Sequence, residues 1–289
     1  MRGPLRPRLT FSAIRAIIIR PFFEISGRPS IFQFLLLMNL IMNKVIVITG
    51  GGRGIGAATA LLAGKQDYAV CVNYLHNRAA ADSVVEAIER GGGKAIAVAA
   101  DIAIEAEVRR LFQTVDQTLG TVTALVNNAG ILESQARLED MDAARLNRIF
   151  ATNITGCFLC AREAVRRMST RHGGKGGTIV NVSSGASRLG SPGEYVDYAA
   201  SKGAVDTLTI GLSKEVATEG IRVNAVRPGF IYTEIHASGG EPGRVDRVKE
   251  FVPMKRGGQA AEVANAILWL LSEEASYSTG TFIDVTGGK

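Results

Sequence analysis

Tyr198 and Lys202 bound the short run YAASK, residues 198–202. At four residues' separation near the start of a helical pattern, both side chains project from one face into the same space. A free phenol ionises at about pH 10, too high to act as a base near neutrality, and an ammonium beside it stabilises the phenolate. Such a pair can give a proton to, or take one from, an oxygen whose charge changes during a reaction. An isolated pair at this spacing would read as a surface tyrosine beside a solvated lysine, so its meaning depends on its neighbours. Upstream, NVSS at 181–184 closes an apolar run with two hydroxyls, Ser183 and Ser184, either able to hydrogen-bond a carbonyl oxygen.

A second kind of chemistry is carried by TGGGRGIG, residues 49–56, with five glycines in eight positions. A turn without Cβ atoms lets backbone N–H groups approach an anion closely, and a helix opening from it adds a favourable dipole. The spacing is T-G-x-x-x-G-x-G, with Gly50, Gly54 and Gly56 at the key points. It suits a phosphate or pyrophosphate.

These groups need a frame. Short β-branched runs at 44–49, 69–74, 95–100, 123–127, 178–183, 221–227 and 281–285 alternate with helical patterns at 55–65, 78–91, 104–119, 142–171, 198–218 and 260–273. The runs are continuously apolar, as strands buried on both faces of a parallel sheet should be. Asp142 is positioned to cap the longest helix. The alternation predicts one α/β domain over 43–289, a doubly wound parallel sheet of about seven strands with helices on both faces. Ligands then bind beyond the carboxyl ends of the strands, where the glycine turn lies.

Composition narrows the class. Glycine is 33 of 289 residues, above the usual roughly 7% and consistent with many tight turns. Of the net charge of +6, +5 falls in residues 1–42, with six arginines against Glu24, leaving the body at +1 and giving no case for nucleic acid. Cys157 and Cys160 form a C-x-x-C pair inside a helical pattern, expected to be buried reduced thiols; His76, His172 and His236 have no metal-ligand spacing.

The motifs together resemble the short-chain dehydrogenase/reductase family across essentially all of 43–289. TGGGRGIG, NNAG at 127–130, NVSS, YAASK and RPGFIYT at 227–233 stand in the family's order. The resemblance implies a Rossmann fold and hydride transfer between a nicotinamide dinucleotide and a carbonyl or secondary alcohol. It implies catalytic roles for Asn153, Ser184, Tyr198 and Lys202, with Ser187 an outside candidate for the serine. The extra residue between Ser184 and Tyr198, compared with many members, is a departure that a loop absorbs. Cofactor contacts are implied for Gly50, Arg53, Gly54, Ile55, Gly56, Asn73, Tyr74, Asp101, Ile102, Asn128, Ala129, Gly130, Tyr198, Lys202, Pro228, Gly229, Ile231 and Thr233. Asn127 would instead hold neighbouring strands together.

The second strand ends in Asn73 and Tyr74 rather than in an acid that would bind ribose hydroxyls and repel a 2′-phosphate, while Arg53 can pair with that phosphate. NADP(H) is therefore the expected cofactor, with NAD(H) possible. The polar, glycine-rich stretch 234–258 follows the nicotinamide contacts and is expected to be a mobile substrate lid. The expected substrate is a small carbonyl or alcohol. The alternatives are a 3-ketoacyl-acyl-carrier-protein reductase, with Lys255–Arg256 or Arg166–Arg167 helping to dock an acidic carrier, a sugar dehydrogenase of the glucose type, and a non-catalytic dinucleotide sensor. Extra apolar residues on helices 142–171 and 198–218 predict a homodimer, or a homotetramer with a second interface near TFIDVTGG at 281–288. Leu208 is an outward candidate there. A soluble, cytoplasmic enzyme is expected, without membrane contact.

Residues 1–42 do not match the rest. Their apolar run is about a dozen residues, short of the roughly 20 that span a bilayer, and no small-residue cleavage site follows it. Arginine-rich and acid-poor, the segment is like a transit peptide in composition; the preferred reading is an upstream start, with the domain beginning at Met42. A chain started at Met42 is accordingly expected to fold and to keep its melting temperature and activity. Aggregation, or a much lower melting temperature, would reject that reading.

Overall fold

The computed structural model describes residues 44–289; the readings made for 1–42 lie outside the described residues. Seven strands form a parallel sheet: β1 Lys44–Ile48, β2 Tyr68–Tyr74, β3 Lys94–Ala99, β4 Ala124–Asn127, β5 Gly177–Val182, β6 Ile221–Pro228 and, last in the chain, β9 Phe282–Val285. Their order is β3-β2-β1-β4-β5-β6-β9. Each lies within a residue or two of its sequence expectation, because continuous apolar runs bounded by turns have few other solutions.

Alternation along each strand feeds two cores. Ile46, Ile48, Val70 and Val72 face one side, with helices α1 Gly54–Gly64, α2 Arg78–Arg90 and α10 Ala260–Leu271. Val45, Val47, Cys71 and Leu125 face the other, with α3 Glu105–Thr118, α5 Cys157–Met168 and the end of α7 Val196–Glu215. The doubly wound arrangement expected from the sequence is the one observed.

Two local features differ from expectation. The helix expected over 142–171 is broken: α4 Ala143–Phe150 passes into a π-helical segment, Ala151–Gly156, before α5. At its end Gly156 presses on the turn after β3, where an added Cβ would stand 3.1 Å from the Ile102 carbonyl oxygen and 2.7 Å from its side chain. A one-turn π bulge is the way a helix accommodates such a constraint, and it is common at functional sites. Asp142 caps α4 as expected, accepting from the Arg145 N–H at 2.7 Å.

The stretch after β6 is also more ordered than a polar loop. It carries β7 Ile231–Tyr232, α8 Ile235–Ser238 and α9 Arg244–Val248, and then returns in β8 Gly258–Gln259. β7 and β8 pair, Ile231 with Gly258 and Tyr232 with Gln259, so the strap between them is closed at its base. Cys157 and Cys160 are free and buried as expected, as is Cys71, and burial pushes the Cys157 thiol up to about 12. Among the described residues no helix is long and apolar enough to cross a membrane.

Candidate active site

Because β1 has β2 on one side and β4 on the other, the chain reverses direction across the sheet there and opens a crevice at the strand ends. One threonine closes its floor. The Thr49 hydroxyl oxygen accepts from the N–H groups of Asn128 at 2.9 Å and Ala129 at 3.0 Å. In return the Asn128 side-chain amide donates to the carbonyls of Thr49 and Gly50, at 2.9 and 3.1 Å. The turn is pressed so tightly that a Cβ on Gly56 would stand 2.4 Å from the Gly50 carbonyl oxygen. Gly50 itself has φ +60°, a conformation open chiefly to glycine. No acid stands in the first turn of α1, and no side chain caps it. Its free N–H groups and positive dipole are thus left for an external anion.

A cleft of about 530 Å³ runs from this turn across the rim of the sheet. Of the residues expected to hold a cofactor, all but Gly56 line it. Two of them turn their side chains to other work. Asn73 is only 2% exposed; its oxygen accepts from Gly50 N–H at 3.3 Å and its amide donates to the Ala100 and Val98 carbonyls at 3.0 and 3.3 Å. Asn73 and Asn128 therefore brace the backbone, and contacts to a ligand fall to the main chain beside them. Arg53 and Tyr74 also line the cleft, and Arg53 stands exposed at the glycine turn.

At the other end the catalytic candidates converge. Lys202 is buried, donates from Nζ to the Val182 carbonyl at 2.8 Å, and lies 5.6 Å from the Tyr198 ring centroid. A Cβ on Gly130 would meet Lys202 Nζ at 3.5 Å and Asn153 Oδ1 at 3.4 Å, so these three groups crowd one point. Asn153 does not line the cleft. Held in the π segment, it accepts from Ile131 N–H at 2.8 Å and donates to the Ile131 carbonyl and the Ser201 hydroxyl, both at 3.1 Å.

The geometry separates the serines. Ser183 spends its proton on the Lys202 carbonyl at 3.2 Å. Ser187 bonds the Ser184 carbonyl at 2.8 Å and does not line the cleft. Ser184 lines it, and its oxygen accepts from the Ala186 N–H at 3.1 Å, which leaves the hydroxyl proton to donate outward.

The start of α7 is fixed by an ion pair that sequence reasoning missed. Asp197 accepts from Tyr198 N–H at 2.8 Å through one oxygen and from Arg145 Nε at 2.8 Å through the other. Arg145 also donates to the Ser134 carbonyl at 2.7 Å, tying α4, α7 and the loop after β4 together. Both side chains are buried, so the pair serves to fix geometry more than to add stability.

The strap forms the remaining wall. Arg244, 7% exposed, is held by Glu194 and by Glu241, and Arg247 bridges the same two carboxylates. The expected lid is therefore a strap pinned to the loop before α7. Tyr195, Phe230, His236 and Arg244 line the cleft beside Tyr198 and were not assigned from sequence. For Tyr195 a signal existed, one helical turn before Tyr198; for Arg244 there was none, since its partners are scattered along the chain.

The family model described as enoyl-(acyl carrier protein) reductase matches residues 50–289. An uncharacterized oxidoreductase of Escherichia coli, YgfF, is 64% identical over 245 residues, 85% of this chain and 99% of that protein. A 3-oxoacyl-[acyl-carrier-protein] reductase of Synechocystis is 38% identical, covering 87% of this chain and 98% of its own. Among solved structures, a short-chain dehydrogenase from Burkholderia cenocepacia in complex with NADP superposes with a TM-score of 0.78 at 30% identity, over 85% of this chain and 97% of that one.

Proposed function

The chain belongs to the short-chain dehydrogenase/reductase family of oxidoreductases, and from that premise we propose that it moves hydride between NADP(H) and a small carbonyl–alcohol pair. The observation that carries the reading is the convergence of Tyr198, Lys202 and Ser184 on the cleft that begins at the glycine turn. The cofactor, when bound, supplies or accepts the hydride. The residues present fit it: the turn is a cradle a Cβ would fill, and α1 opens there with free N–H groups.

In the direction of reduction, Ser184 donates a hydrogen bond to the carbonyl oxygen and Tyr198 gives it a proton as negative charge develops. Lys202, its position set by the Val182 carbonyl, stabilises the phenolate left behind. Asn153 holds the Ile131 backbone beside them. In the oxidative direction the same groups act in reverse. NADP(H) is preferred over NAD(H) on two grounds: β2 ends without an acid, and Arg53 stands exposed at the turn, where its guanidinium can meet a 2′-phosphate. The NADP-bound Burkholderia structure is consistent with this.

The name of the Synechocystis relative favours an acyl-carrier substrate as the second reading. Three of the four basic groups expected to dock a carrier are already ion-paired, however, Arg166 and Arg167 with Glu163, Arg167 also with Asp116, and Arg256 with Glu262, while Lys255 donates to the Glu250 carbonyl. A small free substrate is the better fit.

The same reading extends to assembly. Phe158 on α5 is 47% exposed and Ile210 on α7 is 43% exposed, and Gly203 and Gly211 on α7 face open space. Leu208, the outward candidate from sequence, is half-buried. A second copy laid against these helices would cover that face, giving a homodimer or, through the β9 edge, a homotetramer.

Three outcomes are expected. Tyr198→Phe should lower turnover by several orders of magnitude with NADPH affinity nearly intact; a variant retaining more than about a tenth of the rate would overturn the tyrosine's role. Arg53→Ala should weaken NADPH binding by roughly 5- to 100-fold and hardly affect NADH, as titrated by fluorescence, whereas equal losses would assign Arg53 to the turn alone. Phe158→Glu, repeated by symmetry at the centre of the interface, should reduce the mass measured by light scattering at micromolar concentration; an active wild-type monomer would reject assembly.

A further inference from the structure

Two of the residues that line the cleft beyond Tyr198 each carry a buried side-chain atom with no hydrogen-bond partner among the described residues. Tyr195 is 3% exposed and its hydroxyl makes no hydrogen bond. Its ring lies beneath the Arg244 guanidinium, 4.7 Å from carbon to centroid, and Arg244 is itself fixed by Glu194 and Glu241. The second orphan is Nδ1 of His236, on α8 of the strap. Its other nitrogen, Nε2, lies 3.0 Å from the Ile231 carbonyl oxygen. A carbonyl can only accept, so Nε2 carries the proton and Nδ1 of the neutral ring presents a lone pair. Burial, with the Arg244 charge adding to it, holds the imidazole below its ordinary pKa and so neutral near pH 7.

The two orphans are not bonded to each other, and both residues line the cleft. A buried polar group left unpaired costs about 1–3 kcal/mol, so a pair of them on a pinned wall calls for a ligand. Tyr195 offers a donor and His236 an acceptor. An alcohol hydroxyl is the small neutral group that accepts from the first and donates to the second. Leu132, Leu189 and Phe230, which line the same cleft, are apolar and offer no partner through their side chains.

Resting on the carbonyl-reductase reading, we propose that Tyr195 and His236 form a hydroxyl-recognising subsite, and that the preferred substrate is a hydroxyketone or hydroxyaldehyde (in the oxidative direction, a diol). A plain ketone of the same size would leave both groups unpaired. Sites built to bond a substrate hydroxyl discriminate strongly against analogues that lack it.

The test compares hydroxyacetone with acetone, and 1-hydroxybutan-2-one with butan-2-one, as substrates of the full chain with NADPH. Because a neighbouring hydroxyl also raises the intrinsic reactivity of a carbonyl, the decisive quantity is the change in the kcat/KM ratio between the members of each pair. Tyr195→Phe keeps the ring beneath Arg244 and removes only the hydroxyl; the ratio should fall at least about tenfold, and His236→Leu should lower it similarly. Equal losses on both members of each pair, or an unchanged ratio, would overturn the subsite and leave the two orphans to a bridging water. If the wild-type protein binds NADPH but reduces neither member of any pair, the carbonyl-reductase reading falls separately. The subsite is then judged by thermal shift of the NADPH complex: stabilisation by the hydroxyketone that is lost in Tyr195→Phe supports it, and equal shifts from ketone and hydroxyketone reject it.

Discussion

A parallel sheet sends the carboxyl ends of all its strands to one rim, and that constraint organises the molecule. The residues that follow β1, β4, β5 and β6 come from distant parts of the chain, yet they arrive side by side. Thr49, Asn128, Ser184 and Gly229 are neighbours of the same cleft floor or wall because the strands before them are in register, Ile48 beside Val126 and Val182 beside Val226. Shifting one strand by a residue would turn its core side chains to the wrong face and carry its terminal residue out of the site.

What the sheet delivers, buried polar side chains then lock. Asn73, Asn128 and Asn153 each spend several hydrogen bonds on backbone groups, and Asp197 joins Arg145 to the amide of Tyr198. These interactions yield little net stability, since each replaces a bond to water. Their effect is rigidity. The glycine turn, the residues after β4 and the first turn of α7 are held where small displacements would matter to hydride and proton transfer.

The strap is bound differently. Its base is closed by the short β7–β8 ladder and its middle by the Arg244–Glu194–Arg247–Glu241 cluster, whose four charges sum to zero. Arg247 is half-exposed and screened by salt, but Arg244 is buried against both carboxylates, so the cluster holds the strap as one defined wall for a bound ligand. Tyr195 and His236 stand on the two sides of that closure, one on the loop before α7 and one on the strap itself.

The sequence alone determined the alternation of strands and helices, the sheet they form, the glycine turn and the Tyr198–Lys202 pair. Each of these is written in short-range periodicity: apolar runs of strand length, a helix spacing of four, turns that only glycine makes. The Asp142 cap was legible for the same reason, its bond reaching only three residues along the chain. Tertiary structure decided the rest. The π bulge at 151–156 answers to the turn after β3, which the helix pattern does not contain. Ser184, rather than Ser183, keeps a hydroxyl proton for the cleft because Ser183 spends its own on a carbonyl of α7. Asn73 and Asn128 brace the backbone through partners some 23 to 79 residues away. Arg145 meets Asp197 across 52 residues and Arg244 meets Glu194 across 50, pairings that carry no local signature. Long-range contacts of charged and amide groups depend on which surfaces the completed sheet brings together, and that exists only once the chain has folded.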